Sequence, residues 1–198
     1  MDQFFHIKEN FINSDLCGQM INQYKADQNF VDSDTRLVNE SMFTINELYL
    51  NDPNVVNQWT PFVKDIKEKL DNEVEEYLKN FATVKLGSYN FSHGVFWEQE
   101  EFTNVPLHFD SEFAIEKDQE DPIRNFFCIV YMNDNFEGGQ LAFPVQKKIF
   151  EPKKGMLIIF PTSYMFPHMT TPAIGGSRFL MRLTYYLNKE KKIADGGY

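Results

Sequence analysis

The sequence contains little cysteine, which excludes a fold that depends on disulfide bonds. Cys17 and Cys128 are the only two cysteines among 198 residues. A small secreted domain that relies on disulfides usually carries several cysteine pairs. We therefore expect both thiols to be reduced and buried, in a core drawn from the 42% of residues that are hydrophobic, including 20 Phe.

Long apolar runs and an excess of positive charge are also lacking. No stretch approaches the roughly 18–20 apolar residues that a membrane-spanning helix needs. The N-terminal segment MDQFFHIKEN lacks the basic and apolar parts of a secretory signal. The formal net charge of −10 opposes general binding to nucleic acid, since such binding requires cations that displace phosphate counterions. We expect a cytoplasmic protein with neither a membrane nor a nucleic acid as its partner.

The chain shows no internal repeat and no linker rich in Gly, Ser or Pro, and its length suits a single domain over residues 1–198. Candidate N-caps at residues 13–15 predict a helix over about residues 14–28. Pro61, placed at a first helical position, predicts a second helix whose apolar spacing continues to about residue 81. We expect residues 1–83 to be mainly helical and to pack on one face of a sheet.

From residue 84 onward, short strand-like runs alternate with turn residues. The eight candidate strands are VKLGSYNFSHGVFW, PLHF, NFFCIVYM, GQLAFP, KKIFEP, GMLIIFP, MFPH and RFLMRLTYYL. Helices followed by many antiparallel strands are typical of an α+β domain. We expect a double-stranded β-helix, or jelly roll, over residues 84–187, with the N-terminal helices packed on one sheet and a tail over residues 188–198.

Three residues form a candidate metal-binding set. His108 and Asp110 are separated by one residue, and His168 lies further along the chain. Residues i and i+2 of an extended segment project from the same side, roughly 6.5–7 Å apart at Cα, so the first two can reach one metal. Two imidazoles and one carboxylate leave three coordination positions open, as in non-haem Fe(II) oxygenases. His6 and His93 have no such partners, and we assign them to the structure or the surface.

Arginine follows the last of these ligands by ten residues, at Arg178. Pro172 and the Gly175-Gly176 pair favour a chain reversal before the strand that Arg178 begins, which can return its guanidinium to the metal ligands. A guanidinium can bind a carboxylate through two parallel hydrogen bonds. Arg182 lies four residues further on and faces the same side of an extended strand, so it is the competing anchor.

Together these motifs resemble the Fe(II)/2-oxoglutarate-dependent dioxygenases, specifically the prolyl 4-hydroxylase-like branch, over roughly residues 85–187. That branch has an HxD, an arginine, a Tyr-Leu-Asn-type strand end, a Gly-Gly-x-x-x-Phe hairpin, a Pro-x-x-Gly, a distal histidine and a basic residue ten positions later. The corresponding residues are His108-Phe109-Asp110, Arg124, Tyr131-Met132-Asn133, residues 138–143 (GGQLAF), residues 152–155 (PKKG), His168 and Arg178.

The resemblance implies a 2-oxoglutarate-dependent dioxygenase that uses Fe(2+), 2-oxoglutarate and O2, releases succinate and CO2, and has ascorbate as a candidate reductant. His108, Asp110 and His168 would hold the iron, while Arg178 and Tyr131 would bind the far carboxylate of 2-oxoglutarate. The implied reaction is hydroxylation of an unactivated C–H bond, in the first place that of a peptidyl residue such as proline. A free amino acid or another small molecule is the alternative substrate.

Two positions depart from the pattern of that branch. A tyrosine usually stands nine or ten residues before the HxD, where this chain has FWEQ at residues 96–99. A tryptophan often stands six positions after the basic residue, where this chain has Thr184.

Two other interpretations remain open. One is a cupin-like metal isomerase or oxygenase that works without 2-oxoglutarate, against which Arg178 counts; the other is a non-catalytic binding module on the same fold.

Overall fold

The structure is a computed structural model that describes residues 2–26, 31–32, 40–46, 53–81, 89–110 and 125–187. Within these residues lie two α-helices, α1 (Ser14–Ala26) and α2 (Pro53–Lys79), and a 3-10 helix, Asp2–Phe4. The strands are β1 (His6–Lys8), β2 (Val31–Asp32), β3 (Glu40–Asn46), β4 (Tyr89–Gln99), β5 (Phe126–Tyr131), β6 (Glu137–Gly138), β7 (Leu141–Phe143), β8 (Lys148–Phe150), β9 (Leu157–Pro161), β10 (Met169–Thr170), β11 (Ala173–Ile174) and β12 (Arg178–Leu187).

A large antiparallel sheet of seven strands, in the order β1-β9-β5-β12-β4-β3-β2, forms the centre of the fold. The other strands form two small sheets, β10-β7-β8 and β11-β6. From β1 to β4, strands that are neighbours in the large sheet are remote in sequence, as expected when a chain winds between two facing sheets. The predicted α+β fold, a double-stranded β-helix, is confirmed.

Each face of the large sheet is covered by a hydrophobic core, because successive side chains of a strand point to opposite sides. One face packs against both helices, through residues that include Met20, Leu70, Phe126, Cys128 and Val130. The other face packs against the small sheet β10-β7-β8, through residues that include Phe127, Ile129, Tyr131, Leu141 and Phe143. The helices therefore cover one face of the sheet, as predicted. The candidate functional residues lie on the second face.

The N-terminal part differs from its prediction in two ways. Helix α2 begins at Pro53, and Pro61 lies inside it, so the predicted start at Pro61 is wrong. Pro53 occupies the position that suits proline, because an N–H in the first turn has no partner within the helix. This part also supplies β1, β2 and β3 to the large sheet. Strands β1 and β2, with three and two residues, are too short to show the alternation from which strands are predicted, whereas the seven-residue β3 was missed.

Six of the eight candidate strands are confirmed, as β4, β5, β7, β8, β9 and β12. The segments PLHF and MFPH are not strands; His108 and His168 instead form an isolated antiparallel bridge. Pro106 and Pro167 stand close before these histidines, and each lacks the backbone N–H that a longer ladder would need.

Both cysteines are buried, and neither forms a disulfide. No helix in the described ranges combines the length and apolar character needed to cross a bilayer. The division of the chain into helical support, catalytic core and tail stays a prediction, since the tail lies outside the described residues. Residues 27–28 of the first predicted helix and Arg124 also lie outside them.

Candidate metal centre and co-substrate pocket

Three side chains from two distant segments meet at one point. Ligand atoms of His108, Asp110 and His168 all lie within 4.8 Å of one another. Nε2 of His108 lies 3.6 Å from Oδ1 of Asp110, and Nε2 of His168 lies 3.1 Å from Oδ2. The sequence-predicted set is therefore assembled in the structure, and it is joined by the backbone bridge between residues 108 and 168.

A backbone carbonyl two residues earlier orients each imidazole. Nδ1 of His108 lies 2.8 Å from the oxygen of Pro106, and Nδ1 of His168 lies 3.2 Å from the oxygen of Phe166. A carbonyl oxygen can only accept a hydrogen bond, so we assign the ring proton to Nδ1 in both histidines. This tautomer leaves the lone pair of each Nε2 available to a metal.

Asp110 is the anionic member of the set. Burial disfavours its charged form, but the adjacent imidazoles of His108 and His168, together with the charge of Arg182, outweigh that effect and hold the pKa of Asp110 well below its usual range. Burial likewise opposes the charged form of His108, while Asp110 raises the pKa of His108. The carboxylate is thus ionised at neutral pH, as a metal ligand must be.

The donor set fits a divalent metal. Oδ2 of Asp110 is buried and has no hydrogen-bond partner. With the ring protons on Nδ1, the contact of 3.1 Å between Oδ2 and Nε2 of His168 brings two acceptors together. A cation between them would satisfy both, and buried polar atoms normally have a partner. Nitrogen and oxygen donors in a 2:1 ratio suit Fe(II) with open positions.

One cavity connects these ligands with both arginines of β12. Its lining includes the three ligand residues, Trp97, Gln99, Phe127, Tyr131, Arg178 and Arg182. The sequence predicted that Arg178 would return to the metal ligands and named Arg182 as its competitor. The structure brings both to the cavity, where their surroundings differ.

Arg178 is almost fully buried, with 1% exposure. Its Nε donates to Oε1 of Gln99 at 2.6 Å, Nη2 donates to the same oxygen, and Nη1 donates to the carbonyl of Gly139. These two acceptors are neutral, and they orient the guanidinium. A buried cation held in this way is suited to receive a carboxylate.

Arg182 occupies the other part of the cavity. Its guanidinium carbon lies 5.0 Å from the ring centre of Phe127 and 5.7 Å from that of Trp97. Its charge also contributes to the lowered pKa of Asp110. Arg182 therefore acts electrostatically at the metal end, whereas the charge of Arg178 acts on Tyr131.

Tyr131 lies on β5, opposite Leu180 of β12, and is 1% exposed. Burial raises the pKa of its phenol to about 12, against the opposing charge of Arg178. The hydroxyl therefore stays protonated at neutral pH and can donate a hydrogen bond to an anion beside Arg178.

Sequence reasoning missed Gln99 as a partner of this pocket. The only signal was the departure at residues 96–99, where a tyrosine was expected from the resemblance. The contact itself depends on the register that sets Gln99 opposite Arg178, which no local pattern encodes.

Residues 96–186 match the sequence model of a family described as the 2OG-Fe(II) oxygenase superfamily. The matched stretch contains the three candidate metal ligands together with Tyr131 and Arg178. A search of the curated proteins finds no significant match to this chain.

The fold is similar to solved structures of prolyl hydroxylases. The viral collagen prolyl hydroxylase of Paramecium bursaria Chlorella virus-1, solved with 2OG, has a TM-score of 0.67 and 17% identity, and the alignment covers 94% of this chain and 97% of that chain. A prolyl-4-hydroxylase of Pseudomonas putida has a TM-score of 0.61, 15% identity and coverage of 94% of both chains. A Trichoplax adhaerens prolyl hydroxylase, solved with a peptide fragment of hypoxia inducible factor, has a TM-score of 0.63, 17% identity and coverage of 98% and 88%.

The family match and the fold agree with each other and confirm the resemblance inferred from the sequence. Residues 96–186 thus resemble the 2OG-Fe(II) oxygenase superfamily, the chain has a prolyl 4-hydroxylase-like fold, and together these findings support a 2-oxoglutarate-dependent dioxygenase.

Proposed function

We propose that this dioxygenase hydroxylates an unactivated C–H bond of a peptidyl residue, such as proline, and releases succinate and CO2. The observation that carries the proposal is the single cavity lined by His108, Asp110, His168, Arg178 and Tyr131. It joins a site suited to Fe(II) with a buried cation suited to a dicarboxylate. Bound iron and 2-oxoglutarate supply the oxidising chemistry with O2, and the protein positions them and excludes water.

Each side chain has a distinct role in this proposal. His108, Asp110 and His168 would hold the iron through two nitrogens and one oxygen. Arg178 binds the far carboxylate of 2-oxoglutarate with its guanidinium, and the protonated hydroxyl of Tyr131 donates to the same carboxylate. Apolar neighbours such as Phe127 keep water from the reacting centre.

Exposed apolar side chains beside the ligand residues support a peptide substrate. Leu107 and Phe109 flank His108 and are 57% and 38% exposed, and Tyr164 and Met165, just before His168, are 61% and 58% exposed. Large apolar side chains that remain exposed together often mark a surface for another chain. The Trichoplax adhaerens relative of similar fold was solved with a peptide.

Succinate formation with matched substrates tests the proposal. Purified protein with Fe(II), 2-oxoglutarate and ascorbate is given proline-containing peptides, peptides in which alanine replaces the proline, free amino acids, and single-stranded DNA and RNA. We expect coupled succinate formation and a mass gain of one oxygen on the proline peptides. Turnover on free amino acids alone would assign the enzyme to small molecules, and coupled turnover on DNA or RNA would contradict the proposal. Omission of ascorbate tests its role as reductant.

A further inference from the structure

Gln99 holds the guanidinium of Arg178 in place. The two residues lie opposite each other on the neighbouring strands β4 and β12. Gln99 is 2% exposed, and its Oε1 accepts hydrogen bonds from Nε of Arg178 at 2.6 Å and from Nη2. Two donors on one edge of the Arg178 guanidinium meet the single amide oxygen of Gln99. The side chain of Gln99 therefore determines the direction in which the opposite edge of the guanidinium points.

Gly139 makes the second contact with the guanidinium. Its carbonyl accepts a hydrogen bond from Nη1 of Arg178. Gly139 has a φ of +68°, and a Cβ at this position would lie 2.6 Å from Cε2 of Phe136 and 3.4 Å from Nη1. A residue with a side chain would therefore be strained in this backbone conformation and would crowd Phe136 and Arg178.

Both acceptors are neutral, although position 99 lies in an acidic segment. Residues 98–101 read Glu-Gln-Glu-Glu. Side chains alternate along β4, so Gln99 faces the cavity while Glu98 projects to the other side of the sheet. A glutamate at position 99 would form a charged hydrogen bond with Arg178, and it would compete with an incoming carboxylate for the same guanidinium. The one neutral residue of the segment is the one that meets the cation.

We propose that Gln99 is a positioning residue that sets the affinity of the enzyme for 2-oxoglutarate. It holds Arg178 in the orientation that grips the far carboxylate, and, because its own side chain is neutral, it does not compete with that carboxylate for the guanidinium. The inference rests on the proposed role of Arg178. It also predicts a preference for 2-oxo acids with a second carboxylate over those with one, such as 2-oxobutyrate.

The test is Gln99→Glu, which keeps the shape of the side chain and adds a charge. Calorimetric titration of 2-oxoglutarate into Fe(II)-loaded protein under nitrogen should show an affinity at least about tenfold lower than in the wild type, as expected when a charged hydrogen-bonding group is lost to an internal partner. Gln19→Glu on the exposed side of α1 makes the same chemical change away from the cavity. It should leave the affinity unchanged.

Three further readouts separate positioning from a merely structural role. The affinity for Fe(II) alone should be the same in Gln99→Glu and wild-type protein. The affinity for 2-oxobutyrate should also be preserved, since it lacks the carboxylate that Arg178 would grip. In an Arg178→Gln background, Gln99→Glu should have less than about a twofold further effect, because its only route of action is gone.

Equal losses for 2-oxoglutarate and 2-oxobutyrate, or the same fold loss with and without Arg178, would overturn the inference. So would an unchanged affinity for 2-oxoglutarate in Gln99→Glu. The proposed function fails differently: wild-type protein would then neither bind 2-oxoglutarate nor form succinate. If wild-type protein does both and Gln99→Glu binds 2-oxoglutarate equally well, only the role of Gln99 is wrong.

Discussion

His108 and His168 exchange two backbone hydrogen bonds across an isolated antiparallel bridge, with nitrogen-to-oxygen distances of 3.0 and 2.8 Å. Residues directly opposite in such a bridge carry side chains on the same face. Their imidazole ring centres lie 4.5 Å apart. The backbone therefore sets two nitrogen ligands side by side, and Asp110 joins them from two residues along the chain.

The first prediction concerns the contribution of each ligand to metal affinity. His108→Ala or His168→Ala should lower the affinity for Fe(II) by more than about 100-fold, which exceeds the 10–100-fold loss typical of outer-shell partners. The physical reason is that two remaining ligands compete poorly with water for the metal. Anaerobic calorimetry with Fe(II) measures the effect.

A matched control uses another histidine of the chain. His6 contacts Glu73 at 2.7 Å and is not part of the ligand set, so His6→Ala should bind Fe(II) like the wild type. Stoichiometric, tight Fe(II) binding by a variant that lacks both His108 and His168 would show that the metal centre is elsewhere.

The second prediction separates the two arginines of the cavity. Arg178→Ala should raise the apparent KM for 2-oxoglutarate by about 10–100-fold, since each hydrogen bond to a charged group contributes about 1.5–3 kcal/mol. Arg182→Ala should raise it much less, because Arg182 lies at the aromatic rings of Trp97 and Phe127. Arg178→Lys should be partly active, because it keeps the charge but loses the planar fork. Succinate formation at varied 2-oxoglutarate concentration measures all three, and a larger effect for Arg182→Ala would move the anchor to that residue.

The third prediction concerns the contact that ties β1 to α2. Glu73 lies 2.7 Å from Nε2 of His6 and 3.2 Å from Nζ of Lys8. Burial opposes ionisation of Glu73, but hydrogen bonds from His6 and Lys8 lower its pKa overall. A carboxyl group with a lowered folded-state pKa contributes stability above its unfolded-state pKa, and that stability is lost as the pH falls through the folded-state value.

Glu73→Gln should therefore reduce the free energy of unfolding by on the order of 1 kcal/mol at pH 7, and by less at pH 3. Urea denaturation at the two pH values measures this. Glu76→Gln on the same helix is the control, since the side chain of Glu76 is 61% exposed and pairs with Lys79, which is 70% exposed. A loss for Glu73→Gln that does not depend on pH would contradict the ionic origin of the contact.

Much of the fold follows from patterns in the sequence. Strand β12 covers Arg178–Leu187, the bounds of the predicted run RFLMRLTYYL, because a run of apolar and aromatic residues follows a clear glycine turn. The start of α2 does not follow, since prolines at positions 53 and 61 both resemble helix starts. Strands such as β1, which has three residues, owe their form to the partner strand β9, and no local pattern encodes that pairing.

The candidate site was also predictable from the sequence only in part. The HxD spacing places His108 and Asp110 together because residues i and i+2 share one side of an extended chain. The return of Arg178 toward His168 was inferred from the turn residues between them, and the structure brings both side chains to the same cavity. The contact between Gln99 and Arg178 could not be inferred, since it depends on the register of β4 against β12. Local spacing is readable from sequence, whereas long-range register requires the fold.

The most direct measurement is an anaerobic titration of the protein with Fe(II) and then 2-oxoglutarate, followed by visible absorbance. We expect a weak charge-transfer band that needs both additions and saturates at one equivalent of each per chain. The band should be absent in His168→Ala, and in Arg178→Ala it should require about 10–100-fold more 2-oxoglutarate. No band in the wild type, or an undiminished band in His168→Ala, would contradict a single cavity that holds the metal and the co-substrate together.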